Sequence, residues 1–113
     1  MAPARTRALR ECGGPETLLH GDLWTSNTCA EPGESGTRVR FIDWERAGVG
    51  SASYDLSTFL LRFAPGERDR IVAVYREASG DAWRLPGRGE LNLLFETAEL
   101  TRCTNRLIWP ALA

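Results

Sequence analysis

The segment LLHGDLWTSN, residues 18–27, places the single histidine of the chain two residues before Asp22 and seven before Asn27. A second run, VRFIDWE at residues 39–45, follows soon afterwards and brings another aspartate, Asp43, behind an apolar stretch. Polar residues at two such runs, each preceded by apolar residues, are typical of loops that end strands. These two runs decide the interpretation of the rest of the chain.

Residues 28–43 are predicted to form a β-hairpin. AEPGESG, at residues 30–36, is a dense turn signal. Residues 38–43 alternate polar and apolar side chains, which is the period of a half-buried strand. The apolar run at residues 17–20 indicates a short strand or an extended entry to a loop, and the small residues 47–53 are expected to form a loop.

Three helices are predicted after residue 54, because apolar side chains recur there at i, i+3, i+4 and i+7. Asp55 is placed to cap the first helix, Gly80 ends the second and Pro110 ends the third. Residues 3–11 could form a further helix at the start of the chain. The predicted apolar faces are Leu56, Phe59, Leu60 and Phe63; Ile71, Val74, Tyr75 and Ala78; and Leu91, Leu94, Phe95 and Ala98. A hairpin followed by helices predicts an α+β fold that is mainly helical.

The composition is that of a globular chain of one domain or less. Its 113 residues are 42% hydrophobic and 26% charged with a net charge of -1, which favours neither nucleic acid nor an anionic membrane as a partner. An odd count of three cysteines without a CxxC motif indicates a reduced, cytoplasmic setting rather than a disulfide framework. A zinc site is a minor alternative whose spacing fits no known pattern; it would use Cys12, Cys29, Cys103 and His20.

Asp22, Asn27 and Asp43 are expected to surround one pocket. Asp22 and Asn27 share an irregular loop, and the hairpin brings the end of the strand that carries Asp43 beside it. Carboxylate and amide oxygens suit Mg²⁺ rather than zinc, and magnesium also binds substrate phosphates. A carboxylate that does not bind the metal can orient a hydroxyl and accept its proton. This is the equipment for phosphoryl transfer, although each residue taken singly fits a polar turn.

HGDLWTSN followed by FIDWE resembles the aminoglycoside phosphotransferase and choline kinase-like family, small-molecule kinases built on the protein-kinase scaffold. The match is close over residues 17–63, where YDLSTFLLRF follows at the expected place, and looser up to the final helix. The resemblance implies that residues 1–113 are a partial protein-kinase-like C-terminal lobe. Its small β-hairpin would carry a catalytic loop at residues 18–27 and a metal-binding run at residues 41–45.

The resemblance also implies the ligands and the roles of the site residues. ATP would donate its γ-phosphoryl group to a hydroxyl of a small acceptor, with Mg²⁺ as cofactor. Asp22 would be the catalytic base that orients this hydroxyl. Asn27 and Asp43 would hold the magnesium ions that bridge the nucleotide phosphates.

Three further residues receive supporting roles from the resemblance. His20 would pack under the catalytic loop as a structural residue, and Asp55 would brace this loop through hydrogen bonds. Glu45, in the run IDWE, would lie near the metal ligands without being assigned as one.

The departures from the family pattern concern the N-terminal lobe. Such a lobe supplies a Gly-rich turn, a lysine and the adenine-binding hinge, but only 16 residues precede Thr17 and all 14 basic residues are arginine. The resemblance therefore predicts a lobe that is cut on both sides and inactive alone. A truncated fragment, a degenerate lobe that binds a partner, and a metal-dependent phosphohydrolase are the alternatives, the last lacking the extra His and Asp ligands of a two-metal site.

Apolar surface is expected to be exposed where a kinase lobe normally meets its neighbours. This surface would include Leu23, Trp24, Val39 or Phe41, and residues 107–109. Patches of this kind are sites of association. We therefore expect self-association, or a partner that replaces the N-terminal lobe.

Overall fold

A computed structural model gives the fold. It describes the backbone of residues 2–112 and the side chains of residues 6, 7 and 9–104. The elements in chain order are α1 (Ala2–Cys12), β1 (Glu16–Leu19), a short 3₁₀ turn (Thr25–Asn27), β2 (Thr28–Gly33), β3 (Gly36–Phe41), β4 (Gly48–Ser51), α2 (Ser53–Leu60), α3 (Pro65–Ser79) and α4 (Arg88–Leu112).

Two antiparallel ribbons of two strands each organise the loops of the N-terminal half. β2 and β3 form a hairpin that begins with Thr28 opposite Phe41, in the region where alternation predicted one. The second ribbon joins β1 to β4, with Glu16 opposite Ser51. The first run therefore begins in β1 and ends just before β2, and the second run includes the end of β3.

The expectation of a loop at residues 47–53 is wrong, because Gly48–Ser51 forms β4. Glycine is depleted in strands and gave no strand signal, but a small residue is required here. A Cβ atom on Gly50 would lie 2.8 Å from Cδ1 of Leu19, across the ribbon. β4 supplies the backbone partners of β1, the strand that leads into the catalytic loop.

The core lies between α2, α4 and the connection that precedes α4. The predicted faces of α2 and α4 supply most of it, and each large apolar side chain contributes roughly 1.5–3 kcal/mol on burial. The buried apolar residues of this cluster are Leu56, Leu60, Trp83, Leu85, Leu91 and Leu94.

α3 follows its predicted apolar face only in part. Ile71 and Tyr75 pack against the core and are half-buried, but Val74 and Ala78 are exposed and Val72 packs in their place. α3 contains no fully buried residue. Because it contacts the core with a narrow edge, the wider face predicted by periodicity is not used.

α4 does not end before Pro110 but continues to Leu112. Proline has a helical φ, so it can occupy the last turn, where its missing N–H removes one backbone hydrogen bond. The helix predicted near residues 3–11 is present as α1. The prediction that Gly80 ends the next helix is also confirmed, because α3 ends at Ser79 and Gly80 has a φ of 50°. Within the described residues, no helix has the length and apolar character needed to cross a bilayer.

Candidate active site

His20 connects the expected catalytic loop, residues 18–27, to the expected metal-binding run, residues 41–45. Its side chain is only 2% exposed. Nδ1 accepts a hydrogen bond from the backbone N–H of Asp22 at 3.2 Å, and Nε2 lies 2.8 Å from the carbonyl oxygen of Ile42. Because a carbonyl can only accept, Nε2 carries the proton, and the neutral tautomer uses its one donor and its one acceptor. This ring therefore fixes the distance between the backbones that carry Asp22 and Asp43.

The histidine ring is also held by aromatic neighbours from the second run. Its centroid lies 4.7 Å from that of Trp44 and 6.3 Å from that of Phe41. The indole Nε1–H of Trp44 in turn donates to the carbonyl of Phe41 at 3.0 Å. These contacts hold the end of β3 and the residues that follow it against the buried histidine.

Asp55 binds the backbone of the catalytic loop. Its Oδ2 accepts from the N–H of His20 at 2.7 Å and its Oδ1 accepts from the N–H of Gly21 at 3.1 Å. The expectation that Asp55 caps α2 is wrong, because α2 begins at Ser53 and its cap residue Ala52 makes no side-chain hydrogen bond. Asp55 lies inside the first turn, where a carboxylate is favoured by the helix dipole, and its two oxygens are directed to the loop instead.

Asn27 links the catalytic loop to the hairpin. Its Nδ2 donates to the backbone oxygen of Asp22 at 2.8 Å and approaches Oδ2 of Asp22 at 3.4 Å. Its backbone oxygen accepts from the N–H of Ile42 at 2.9 Å. Among the described residues, no hydrogen bond uses Oδ1 of Asn27, so this oxygen is available to a ligand.

Asp43 has an unusual backbone conformation. Its φ of 64° is the only positive φ of a non-glycine residue in the described part of the chain. The left-handed region costs such a residue roughly 1–2 kcal/mol, and strain of this kind is concentrated at functional sites. The residue is exposed, and its carboxylate forms no hydrogen bond or ion pair with a described residue. Like Asn27, Asp43 keeps oxygen atoms free for a ligand.

Glu45 lies on a different side of the loop from these contacts. It is exposed and lines a cavity of about 730 Å³, together with Gly21 and Arg46. Neither Asp22 nor Asp43 lines this cavity. Glu45 forms no hydrogen bond or ion pair with a described residue.

The donor set was compared with the metals considered from the sequence. Within the described residues, no group of three His, Cys, Asp or Glu side chains could hold a metal ion. The zinc alternative is therefore wrong for this part of the chain, where Cys29 and Cys103 are exposed. Asp22, Asn27 and Asp43 offer hard oxygen atoms, and a site completed by water and phosphate needs only one or two protein carboxylates. This chemistry fits Mg²⁺.

Two residues of the site region were missed by sequence reasoning. Gly21 has a φ of 85°, and the glycine of HGD was its only signal. Arg102 is buried in α4. It lies one helical turn after Ala98 and so continues the apolar face of this helix, which was the only sign of its burial in the sequence. Neither its burial nor its partners could be deduced from that position.

The surface beside the site carries exposed apolar side chains. Val39 and Phe41 are exposed as expected, and Ile42 and Trp44 are exposed with them. Leu23 and Trp24 are half-buried. The expectation for residues 107–109 falls outside the described side chains.

Comparisons with known proteins agree with the resemblance. A model of the phosphotransferase enzyme family (APH) matches residues 2–94, which is well over half of the chain. Neither the curated proteins nor the solved structures gave a match. The family implies a kinase-like fold, and the mixture of helices with small antiparallel sheets agrees with it. The chain belongs to the phosphotransferase enzyme family.

Proposed function

We propose that this chain is the C-terminal lobe of a small-molecule kinase, which transfers the γ-phosphoryl group of ATP to a hydroxyl of a small acceptor when a nucleotide-binding lobe is also present. The observation that carries this proposal is the pair of hydrogen bonds made by His20, which ties the loop of Asp22 to the residue before Asp43. Family membership supports phosphoryl transfer in general. The acceptor, the nucleotide and the metal go beyond what family membership supports and belong to the proposal.

Asp22 would act as the base. Its carboxylate would accept the proton of the acceptor hydroxyl while the hydroxyl oxygen bonds to the γ-phosphorus and the bond from that phosphorus to ADP breaks. The contact from Asn27 Nδ2 to Oδ2 of Asp22 restricts the rotation of this carboxylate. Positioning of this kind is the main contribution that a protein makes to phosphoryl transfer.

Asn27 and Asp43 would hold the magnesium ions. When bound, magnesium neutralises charge on the phosphates. Both side chains have oxygen atoms that no described residue occupies. The strained φ of Asp43 fits a residue whose carboxylate must be presented at a fixed place.

His20 and Asp55 would be positioning residues. Asp55 holds the backbone on one side of the catalytic loop, and His20 holds it on the other. Both ring nitrogens of His20 are engaged, and both oxygens of Asp55 accept from the loop backbone, so these side chains hold the loop. Their loss would act through the geometry of Asp22 and Asp43.

Titration of Mg·ATP into the ¹⁵N-labelled chain tests the ligand assignment. We expect binding no tighter than roughly millimolar, seen as a shift of the Asn27 side-chain amide signals. Asp43→Ala should abolish the shift because it removes a carboxylate ligand, whereas Asp22→Ala should leave the affinity nearly unchanged. Asp81→Ala is the matched control, since Asp81 is an exposed acid paired only with Arg84. Loss of binding in Asp22→Ala but not in Asp43→Ala would show that the two roles are reversed.

The same variants in a protein with both lobes separate binding from chemistry. Removal of a general base lowers the rate by about 10²–10⁴-fold, so Asp22→Ala should lower turnover without weakening nucleotide binding. Asp43→Ala should weaken both, and Asn27→Ala should resemble it in milder form because an amide interacts less strongly with a cation than a carboxylate does.

A non-catalytic interaction module is the second candidate. The exposed apolar side chains of Phe41, Ile42 and Trp44, next to the site, favour it. If Mg·ATP shifts no signal near Asn27 in the titration above, this candidate replaces the kinase.

A further inference from the structure

Arg102 is a buried cation with an unsatisfied donor. It lies on α4 and is only 7% exposed. Its Nη1 donates to Oγ1 of Thr58 at 2.7 Å, but its Nη2 is buried and forms no hydrogen bond with any described residue. A buried donor without a partner costs about 1–3 kcal/mol, and more when the group is charged. A partner is therefore expected in the functional state.

The guanidinium of Arg102 lies against two aromatic rings. Its carbon is 5.7 Å from the ring centroid of Trp24 and 5.6 Å from that of Tyr54. A second guanidinium, that of Arg62, lies 5.4 Å from the same Trp24 ring. Two positive charges therefore converge on one indole.

No described carboxylate neutralises these charges. The described ion pairs use Arg40, Arg84 and Arg88, and neither Arg62 nor Arg102 forms one. Cation–π contact contributes about 0.5–2 kcal/mol, which is less than the several kcal/mol that burial of an unpaired charge costs. The cation–π contacts therefore account for the position of the Arg102 guanidinium, but they do not offset the cost of burying its charge.

The place of this cluster relative to the proposed base gives it a function. The backbone N–H of Trp24 donates to the backbone oxygen of Asp22 at 2.8 Å, so Trp24 and the proposed base lie in one tight turn. A ligand group bound beside Trp24 would therefore lie near Asp22, which is two residues earlier in the same turn. Guanidinium groups bind carboxylate and phosphate oxygens through parallel N–H donors.

We propose that Arg62, Arg102 and Trp24 form a binding site for the anionic oxygen group, a carboxylate or a phosphate, of the acceptor alcohol. The inference rests on the proposed function and names its substrate class: a small hydroxylated acid rather than an acceptor that carries several ammonium groups, which the two cations would repel. Arg62 is exposed and Arg102 is buried. An incoming anion would therefore meet Arg62 first and reach Arg102 by displacing the side chains that cover it.

The test is an NMR titration of the ¹⁵N-labelled full chain without nucleotide or magnesium. The probes are glycerate, glycerol 3-phosphate and, as the neutral control, glycerol. We expect at least one of the two anions to shift the indole N–H signal of Trp24 and the Nε–H signal of Arg102, while glycerol shifts neither. Shifts with glycerol equal to those with the anions, or no shift with either anion, would overturn the site.

Variants identify the residues. Arg62→Gln should weaken anion binding about two- to fivefold, as expected for an exposed charge. Arg102→Lys should weaken it about tenfold, because a lysine keeps the charge but loses the parallel donors. Arg84→Gln, a change of an exposed arginine paired with Asp81, should have no effect. An Arg62→Gln variant that binds both anions as tightly as the unaltered chain would overturn the proposal even if Arg102→Lys did not fold.

A further arm separates the acceptor from the nucleotide. If ATP shifts the Trp24 and Arg102 signals and neither glycerate nor glycerol 3-phosphate does, the cations serve the nucleotide phosphates and the acceptor assignment is wrong. Because the first titration contains no Mg·ATP, its failure leaves the proposed kinase activity standing. Failure of the Mg·ATP titration with intact anion binding would instead overturn the kinase.

Discussion

Gly21 lies between His20 and the proposed base with a φ of 85°, and its N–H donates to Oδ1 of Asp55. A Cβ atom on it would overlap the carbonyl oxygen of Arg46 and lie 2.7 Å from the carbonyl carbon. The proposed catalytic loop therefore packs directly on the backbone that follows the proposed metal-binding run. Backbone atoms cannot rotate out of the way as the end of a side chain can, so only glycine fits.

Gly21→Ala is expected to lower the free energy of unfolding by about 2–4 kcal/mol, the sum of left-handed strain and overpacking. Gly80→Ala is the matched control, because Gly80 also has a positive φ but a Cβ there would contact nothing within 4 Å. It should cost only the strain of an uncommon backbone conformation, about 1–3 kcal/mol, without the overlap. Denaturant unfolding at unchanged m-value measures both losses, and equal losses would mean that the contact with Arg46 is unimportant.

At the same scale, sequence spacing could single out candidate site residues but not the contacts that their atoms make. Asp22, Asn27 and Asp43 were singled out from two short runs, since hard oxygen donors at strand ends suggest a shared pocket. The family resemblance suggested that Asp55 braces the loop of residues 18–27, but the local pattern, an acid at a helix start, assigned it to a cap of α2. Its two hydrogen bonds instead reach residues 34 and 35 positions earlier, and no local pattern shows such distant contacts.

At the scale of elements, periodicity succeeded where a whole face of a helix is buried. It failed where only a narrow edge of a helix packs on the core, or where a strand is held by backbone pairing. α2 and α4 bury the faces that were predicted from their spacing. β4 was missed because its role is to pair with β1 through backbone groups, which glycines do as well as any residue. The guanidinium of Arg68, on α3, donates to the carbonyls of Leu60, Leu61 and Phe63. It thereby supplies a donor to carbonyl oxygens at and just beyond the end of α2, where helical acceptors lack the next turn.

The exposure of β3 leads to a prediction about association. All six residues of β3 are exposed, and Val39 is 57% exposed with Phe41 on the same face of the strand. Exposed apolar strands pair with other chains, so we expect the average mass from light scattering to rise with protein concentration. Val39→Lys should suppress this rise. Val74→Lys should not, because Val74 is equally exposed (61%) but lies on a helix. A constant monomer mass at high concentration would contradict the prediction.

At the scale of the whole molecule, Trp83 joins the segment before the catalytic loop to the helical core. Its indole N–H donates to the carbonyl of Cys12 at 3.1 Å, and its ring packs edge-on against Tyr75 at 5.9 Å. A Cβ atom on Gly14 would lie 2.8 Å from the indole, so the chain passes close over this ring. Trp83 thus adds a second connection to the one that Asp55 makes, a link between residues 71 positions apart that the sequence could not reveal.

This arrangement makes the stability of the molecule depend on the ionisation of Tyr75. Burial raises the pKa of its phenol above the ordinary value of 10.0, and the negative charge of Asp55 raises this pKa further. The folded state therefore holds the phenolic proton more strongly than the unfolded state does. The favourable contribution is fully present below pH 10 and is lost as the pH rises through the raised pKa.

Urea unfolding of the unaltered chain and of Tyr75→Phe, measured from pH 8.5 to 11, tests this dependence. Below about pH 10 the difference between the two free energies of unfolding should be constant. Above it, the unaltered chain should lose stability relative to Tyr75→Phe with a slope of at most about 1.4 kcal/mol per pH unit, the value for one proton. The chain has no lysine, and every titratable group other than Tyr75 is the same in both proteins, so the difference isolates Tyr75. Parallel curves over the whole range would show that the phenol is not held in its neutral form by the core and Asp55.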